Sequence, residues 1–207
     1  MDSLPPMPSL TPEDNETISE AIGNDHKAFD QCYDALKAGQ TLADKIKWRN
    51  QLTWTIARHA ISEELTMYPA MDRHMGEEGR ELTDVDREQH QAVKEDLHTL
   101  QDMSPDHADF MPLLDKLMAD LHHHISHESE EDMPRLERLL SRQESRELAR
   151  QFRRTKWITP TMSHPAAPNE PPLENLAGLL AAPIDRFKDL MRTFPDKGEL
   201  SAEQIRA

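Results

Sequence analysis

The chain has 207 residues, 30 % of them charged, and a formal net charge of −15. This balance excludes a nucleic-acid partner, because phosphate backbones are bound by clustered positive charge. One short basic cluster occurs, and we expect it to balance an acidic helix: Arg150, Arg153, Arg154 and Lys156. The chain has one cysteine, which excludes an intrachain disulfide, and no apolar run approaches the roughly 20 residues of a membrane helix. We therefore expect a cytoplasmic protein without a membrane span.

Helix-forming residues dominate the middle of the chain, whereas glycine, valine and isoleucine are scarce, which favours an all-α domain. Residues 1–16 are polar and proline-rich, and they are predicted to form a flexible N-terminal segment without a signal peptide. Thr17 and Glu20 have capping-box spacing and begin a first helix predicted over residues 17–38. Thr41 and Asp44 have the spacing of a second cap and begin a second predicted helix, which ends near Pro69.

Two further long helices are predicted in the middle of the chain. Residues 71–82 are polar and contain two glycines, so they are predicted to form a loop before a third helix capped by Thr83. Asp109 is predicted to cap a fourth helix, with Pro112 in its first turn, and a charged helical stretch follows over residues 135–156. Four amphipathic helices with short connections predict an antiparallel up-down four-helix bundle with a C-terminal helical extension.

The C-terminal part of the chain is predicted to have three segments. Residues 141–157 form a charged helical extension, 158–172 a proline-rich linker, and 173–207 an amphipathic segment. The apolar residues of the last segment recur at helical spacing: Leu176, Leu179, Leu180, Ile184, Phe187 and Leu190. We expect this face to dock on the bundle; the alternative is that it binds a protein partner or a membrane surface.

One spacing occurs twice, as His59-x3-Glu63 and as His124-x3-Glu128, each with a proline ten residues after its histidine. Residues four apart lie on the same face of a helix, so each pair can direct an imidazole and a carboxylate at one point. Nitrogen and oxygen ligands without thiolates suit iron or manganese, and zinc is a further alternative. The repeat therefore predicts a metal-binding bundle.

The first and third predicted helices each add one histidine on their apolar face. The complete candidate set has four imidazoles and two carboxylates: His26, His59, Glu63, His90, His124 and Glu128. Six ligands exceed the four that zinc usually takes, and they suit two ions bridged by carboxylates. The neighbouring Glu64 is predicted to be an outward-facing charge; the alternative is that it is a further ligand.

This order of motifs, with a proline closing both pairs, resembles the hemerythrin-like (HHE cation-binding) domain over residues 17–140. The resemblance implies a four-helix bundle that holds two iron ions and binds or senses O2, NO or iron itself. It also implies that the four histidines are terminal ligands and that Glu63 and Glu128 are bridging carboxylates. Classical oxygen-carrying hemerythrins differ at two positions, where this chain has Lys94 and Ser129. Both differences match the HHE subset that includes iron-sensing members.

Three functions follow from these patterns. The leading hypothesis is a binding or sensing protein with a di-iron site. The first alternative is an enzyme, either a di-iron oxidase or a reductase of peroxide or NO, in which an open coordination position activates the small molecule. The second alternative is a metal-free helical adaptor. Since the chain has no phosphate-binding or dinucleotide motif, another enzyme class is not indicated.

Overall fold

The computed structural model describes residues 15–166 and 173–206, and within these ranges the regular elements are helices, without a strand. The predicted N-terminal segment, except for its last two residues, and part of the predicted linker therefore lie outside the described residues. The elements are α1 (Ile18–Ala38), α2 (Leu42–Leu65), α3 (Met67–Met75), α4 (Glu77–Asp102), α5 (Phe110–His127), a π-helical turn (Glu128–Asp132), α6 (Met133–Leu139), α7 (Arg142–Thr155), α8 (Leu173–Asp189), a 3₁₀ turn (Lys197–Glu199) and α9 (Ala202–Arg206). The prediction of an all-α protein is confirmed.

Capping boxes begin α1 and α2, as predicted. The backbone N–H of Thr17 donates to the carboxylate of Glu20 at 2.8 Å, and the backbone N–H of Glu20 donates to the Thr17 hydroxyl at 3.3 Å. Thr41 and Asp44 make the same reciprocal pair. Each pair satisfies two donors that the first helical turn leaves without an intrahelical partner, which explains why both starts could be predicted from sequence.

The predicted loop over residues 71–82 is wrong, because α3 and α4 are separated only at Gly76. Gly76 has a φ of +69°, which glycine adopts without the steric penalty of a side chain. Gly79 lies inside α4, where an added Cβ would meet the carbonyl oxygen of Met71 at 2.3 Å. The glycines therefore allow a sharp turn and a close helix contact. Thr83 lies within α4 and does not cap it.

The boundaries near the two prolines also differ from the prediction. The second helix ends at Leu65, and Pro69 lies in the first turn of α3, where its missing N–H is harmless. Pro134 lies in the first turn of α6, which follows the π-helical turn. The stretch predicted over residues 135–156 is divided between α6 and α7, and the capping box of Ser141 begins α7.

The buried apolar residues form two clusters. The first apolar cluster includes Phe29, Cys32, Leu36, Trp48, Leu52, Ile56, Ala57, Val93, Leu97, Leu100, Phe110, Leu114, Leu117, Met118, Leu121 and Leu200. The second apolar cluster comprises Ile18, Ala21, Ile22, Met67, Tyr68, Met71, Met133, Leu136, Leu148, Ala149 and Phe152. Helix α1 packs on α2, α4 packs on α5, and α7 packs on both α1 and α2. A layer of buried polar residues separates the two clusters along the helices.

The apolar face predicted to dock on the bundle is exposed in the described part of α8. Ile184 is 60 % exposed, Phe187 67 % and Leu190 59 %. A polar face is buried instead: the carboxylate of Asp185 accepts the backbone N–H groups of Thr161 and Met162 at 3.2 and 3.1 Å. Leu176, Leu179 and Leu180 lie outside the residues whose side chains are described. Across the described ranges, every helix is too short or too polar to cross a membrane.

Candidate metal centre

The six predicted ligands lie together in the polar layer between the two apolar clusters, and all are buried. His26 comes from α1, His59 and Glu63 from α2, His90 from α4, and the last pair from the end of α5 and the start of the π-helical turn. The apolar residues on either side exclude water from this layer. Because neighbouring turns of packed helices face each other here, side chains far apart in sequence come within a few ångströms.

The histidines form two groups that share one carboxylate. His26, His59 and Glu63 make the first ligand group, and Glu63, His90 and His124 make the second; within each group the potential ligand atoms lie within 4.8 Å of one another. Oε1 of Glu63 lies 3.0 Å from Nε2 of His59, and Oε2 lies 3.3 Å from Nε2 of His90. Each oxygen of Glu63 thus faces a different group, as in a carboxylate that bridges two ions.

Spacing between the imidazoles also fits coordination. Nε2 of His90 and Nε2 of His124 lie 3.1 Å apart. Ligand atoms bound about 2.1 Å from a common ion at right angles are separated by about 3.0 Å. The second ligand group therefore has the spacing of donors that surround a cation.

Glu128 lies beside the first ligand group, with its Oε2 3.3 Å from Nε2 of His26. Burial raises the pKa of Glu128 well above its usual value, and the nearby carboxylate of Glu63 raises it further. Two carboxylates this close and this deeply buried repel each other when both are ionised. A cation between them would remove that repulsion.

Six buried atoms at the centre make no hydrogen bond: Nε2 of His26, Nε2 of His59, and both carboxylate oxygens of Glu63 and of Glu128. A buried carboxylate oxygen without a partner is costly, so such atoms are rare in folded proteins. Metal coordination satisfies imidazole nitrogens and carboxylate oxygens together. The residues present therefore fit one or more metal ions.

A buried ion pair orients His59. Nδ1 of His59 donates to Asp25 at 2.9 Å, so that Nε2 faces the centre, and Nζ of Lys156 donates to the other oxygen of Asp25 at 2.6 Å. Burial alone would raise the pKa of Asp25, but the charge of Lys156 and the hydrogen bond from His59 lower it below its usual value. Asp25 is therefore a carboxylate that fixes the tautomer and direction of a candidate ligand.

The prediction for Glu64 is wrong, because this side chain is fully buried. Its carboxylate accepts from Nδ1 of His90 at 3.0 Å and from Nζ of Lys94 at 2.7 Å. Burial alone would lower the pKa of His90, but Glu63 and Glu64 together raise it to about 9. Lys94 therefore neutralises the carboxylate that orients His90.

The residues that orient the candidate histidine ligands were not predicted from the sequence. Asp25 directly precedes His26, and Gln89 directly precedes His90, yet each orients a histidine of another helix; Oε1 of Gln89 accepts from Nδ1 of His124 at 2.8 Å. Lys156, which was expected to balance an acidic helix as part of a basic cluster, is buried and pairs with Asp25. No local spacing predicts such contacts, because the partners are distant along the chain.

The fold and the site thus define an all-helical protein whose buried histidine and glutamate groups fit a metal site. The hemerythrin HHE cation-binding domain matches residues 17–136. An uncharacterized hemerythrin-like protein of Schizosaccharomyces pombe is 44 % identical over 178 residues, which cover 86 % of this chain and 88 % of the relative. No solved structure matches the chain. The chain belongs to the hemerythrin HHE family, as the motif resemblance predicted.

Proposed function

We propose that the protein is a non-haem di-iron protein that binds or senses O2, NO or iron itself. The observation that carries this proposal is Glu63, whose two oxygens face two different histidine groups. A carboxylate so placed suits two ions rather than one. Donors limited to nitrogen and oxygen favour iron or manganese, although zinc also accepts them.

In this proposal, the first ligand group together with Glu128 would hold the first ion, and the second ligand group would hold the second ion; a bridging role of Glu128 stays a prediction. Each ion then has fewer than six protein ligands, which leaves room for a small diatomic molecule. The bound ions would supply the redox-active centre. The chain's own contribution is to hold the imidazoles in fixed tautomers through Asp25, Glu64 and Gln89 and to exclude water with two apolar clusters.

We further propose that α1, α2, α4 and α5 form the antiparallel bundle that carries this centre. Along α1 the chain passes from the second apolar cluster to the first, and along α2 it passes back. Along α4 and α5 the same alternation recurs, from Leu82 toward Leu100 and from Phe110 toward Met133. Within residues 17–140 this alternation supports an up-down order.

Metal analysis of the full chain tests the proposal. Anaerobic reconstitution with ferrous iron, followed by removal of unbound metal, should give about two iron ions per chain. Glu63→Gln should lose at least one of them, because the shared ligand becomes a neutral amide. Glu88→Gln, an exposed change on α4, is the matched control and should keep both. A stoichiometry near one zinc ion with no iron uptake would falsify the di-iron proposal.

A further inference from the structure

A second set of buried acidic residues lies outside the six proposed ligands. Asp86 of α4 faces His127 at the end of α5 and Asp132 of the π-helical turn, and the potential ligand atoms of the three lie within 4.8 Å of one another. Both aspartates are fully buried, whereas His127 is partly exposed, with 29 % of its side chain accessible. Nδ1 of His127 lies 3.0 Å from Oδ2 of Asp132, a distance that fits a hydrogen bond and equally fits two ligand atoms on one cation.

Three of the four carboxylate oxygens of the two aspartates have no hydrogen-bond partner, whereas Oδ2 of Asp132 lies within hydrogen-bond distance of His127. Both oxygens of Asp86 and Oδ1 of Asp132 are buried and make no hydrogen bond. Among the residues that the structure describes, neither aspartate forms an ion pair with a lysine or an arginine; the basic side chains beside the two carboxylates are the imidazoles of His124 and His127. Two buried carboxylates beside one or two imidazoles leave an excess of negative charge, which is costly in a protein interior.

Orientation of His124 does not account for Asp86. Oδ1 of Asp86 lies 3.7 Å from Nδ1 of His124, which is beyond hydrogen-bond distance. The single proton of that nitrogen is already donated to Gln89 at 2.8 Å. Asp86 therefore lies beside His124, a member of the second ligand group, without a hydrogen bond to it, and remains available to a different ligand.

The π-helical turn explains how the group is assembled. His127 and Asp132 are five residues apart, and in an α-helix they would point about 140° away from each other. The backbone N–H of Met133 instead donates to the carbonyl of Glu128, an i to i+5 bond that widens the turn and brings both side chains to one side. Such turns are rare and are often found at functional sites.

We propose that Asp86, His127 and Asp132 form a separate mononuclear site for a divalent first-row cation. Two carboxylates and one imidazole suit Mn²⁺ or Fe²⁺, with water completing the coordination on the side where His127 is exposed. The site uses none of the six residues of the proposed di-iron centre, so it does not rest on the proposed function. It does lie next to that centre, beside His124.

The test is a Mn²⁺ titration of the full-length protein, in which the electron paramagnetic resonance signal of free Mn²⁺ reports how much remains unbound. Asp132→Asn should bind one Mn²⁺ fewer per chain than wild type, or bind it at least tenfold more weakly. His127→Asn should do the same, and its partly exposed position makes misfolding a smaller concern. Asp84→Asn, an exposed change on α4, is the matched control and should bind as wild type does.

The readout is the difference between wild type and variant, so it does not depend on what the central site holds. If the central site takes up no iron and this difference remains one Mn²⁺, the di-iron proposal fails and the present one stands. Equal Mn²⁺ binding by wild type and both variants, with melting curves that show folded protein, would overturn the proposed mononuclear site. Loss of Mn²⁺ together with loss of central iron in both variants would also overturn it, because the residues would then support the central site instead.

Discussion

Replacing Lys156 by methionine should destabilise the protein strongly, although the residue directly follows α7, outside the four helices that carry the candidate histidine ligands. The change keeps an unbranched apolar side chain and removes the ammonium group, whose Nζ lies 4.7 Å from the centroid of the Phe152 ring. Asp25 then keeps its hydrogen bond from His59 but loses its cation, in a position where both members of the ion pair are 2 % exposed. A buried carboxylate without its counterion is the source of the penalty.

Removing one partner of a buried pair typically costs about 3–5 kcal/mol. At about 2–4 °C per kcal/mol for a chain of this size, the melting temperature should fall by about 6–20 °C. The loss should be larger at pH 7.5 than at pH 5. Lys156 and His59 lower the pKa of Asp25 in the folded protein, so the wild-type pair stabilises at neutral pH and loses this contribution as the pH falls through that lowered pKa. Without Lys156, burial raises the pKa of Asp25, so acid relieves the variant's penalty.

Thermal and urea unfolding of metal-free protein at the two pH values measure this effect. Lys27→Met, an exposed change on α1, is the control and should shift the curve little. The double variant Asp25→Asn, Lys156→Met should be more stable than Lys156→Met alone, because position 25 then holds no carboxylate that lacks its lysine. A double variant less stable than the single one, or a single variant as stable as wild type, would refute the ion-pair argument.

Three further outcomes are expected. Chelation should lower the melting temperature of metal-loaded wild type, and the free energy of unfolding should fall by about 2.7 kcal/mol if metal was present at a hundred times its Kd. Glu63→Ala should show little metal-dependent shift. An equal shift in wild type and variant would show that Glu63 is not a ligand. Glu64→Gln should weaken metal binding by about 10–100-fold, as measured by competition with a chelator, since His90 loses a charged partner; unchanged affinity would contradict this. Phe187→Ser should change the free energy of unfolding by less than about 0.5 kcal/mol, because Phe187 is 67 % exposed, and a larger loss would mean that this face of α8 is covered.

Local spacing explains which parts of the fold and site could be predicted. The six candidate ligands depend on residues four apart on a helix and on one histidine in each of two other helices, and these relations hold within a few turns. Capping boxes at Thr17 and Thr41 are equally local. The structure therefore brings the six side chains together and forms both capping boxes, while metal binding by the six stays a prediction.

The burial of Glu64 could not be predicted from local spacing. The prediction assumed that α2 buries one face, so that a residue next to Glu63 would point outward. The structure instead surrounds α2 with α1, α4 and α7, and every residue from 50 to 60 is buried. A helix enclosed on several sides lacks a clear apolar stripe, and polar residues on its circumference must then find partners inside the protein.

Helix α7, which follows the residues that match the family, positions side chains that contact the candidate metal centre. For this reason, the burial of Lys156 was not predicted. The ring of Phe152 packs edge-on against His59, with centroids 5.8 Å apart, and Lys156 pairs with Asp25, which lies 131 positions earlier in the chain. Both residues lie beyond residue 136, where the family match ends. The sequence around Lys156 is basic and polar, as on an exposed helix, and does not indicate a carboxylate partner. The contact with Asp25 forms only when α7 packs on α1 and α2. Since burying an ammonium group is costly without its partner, Lys156 and Asp25 must be ordered together, and the orientation of His59 depends on α7 as much as on the bundle.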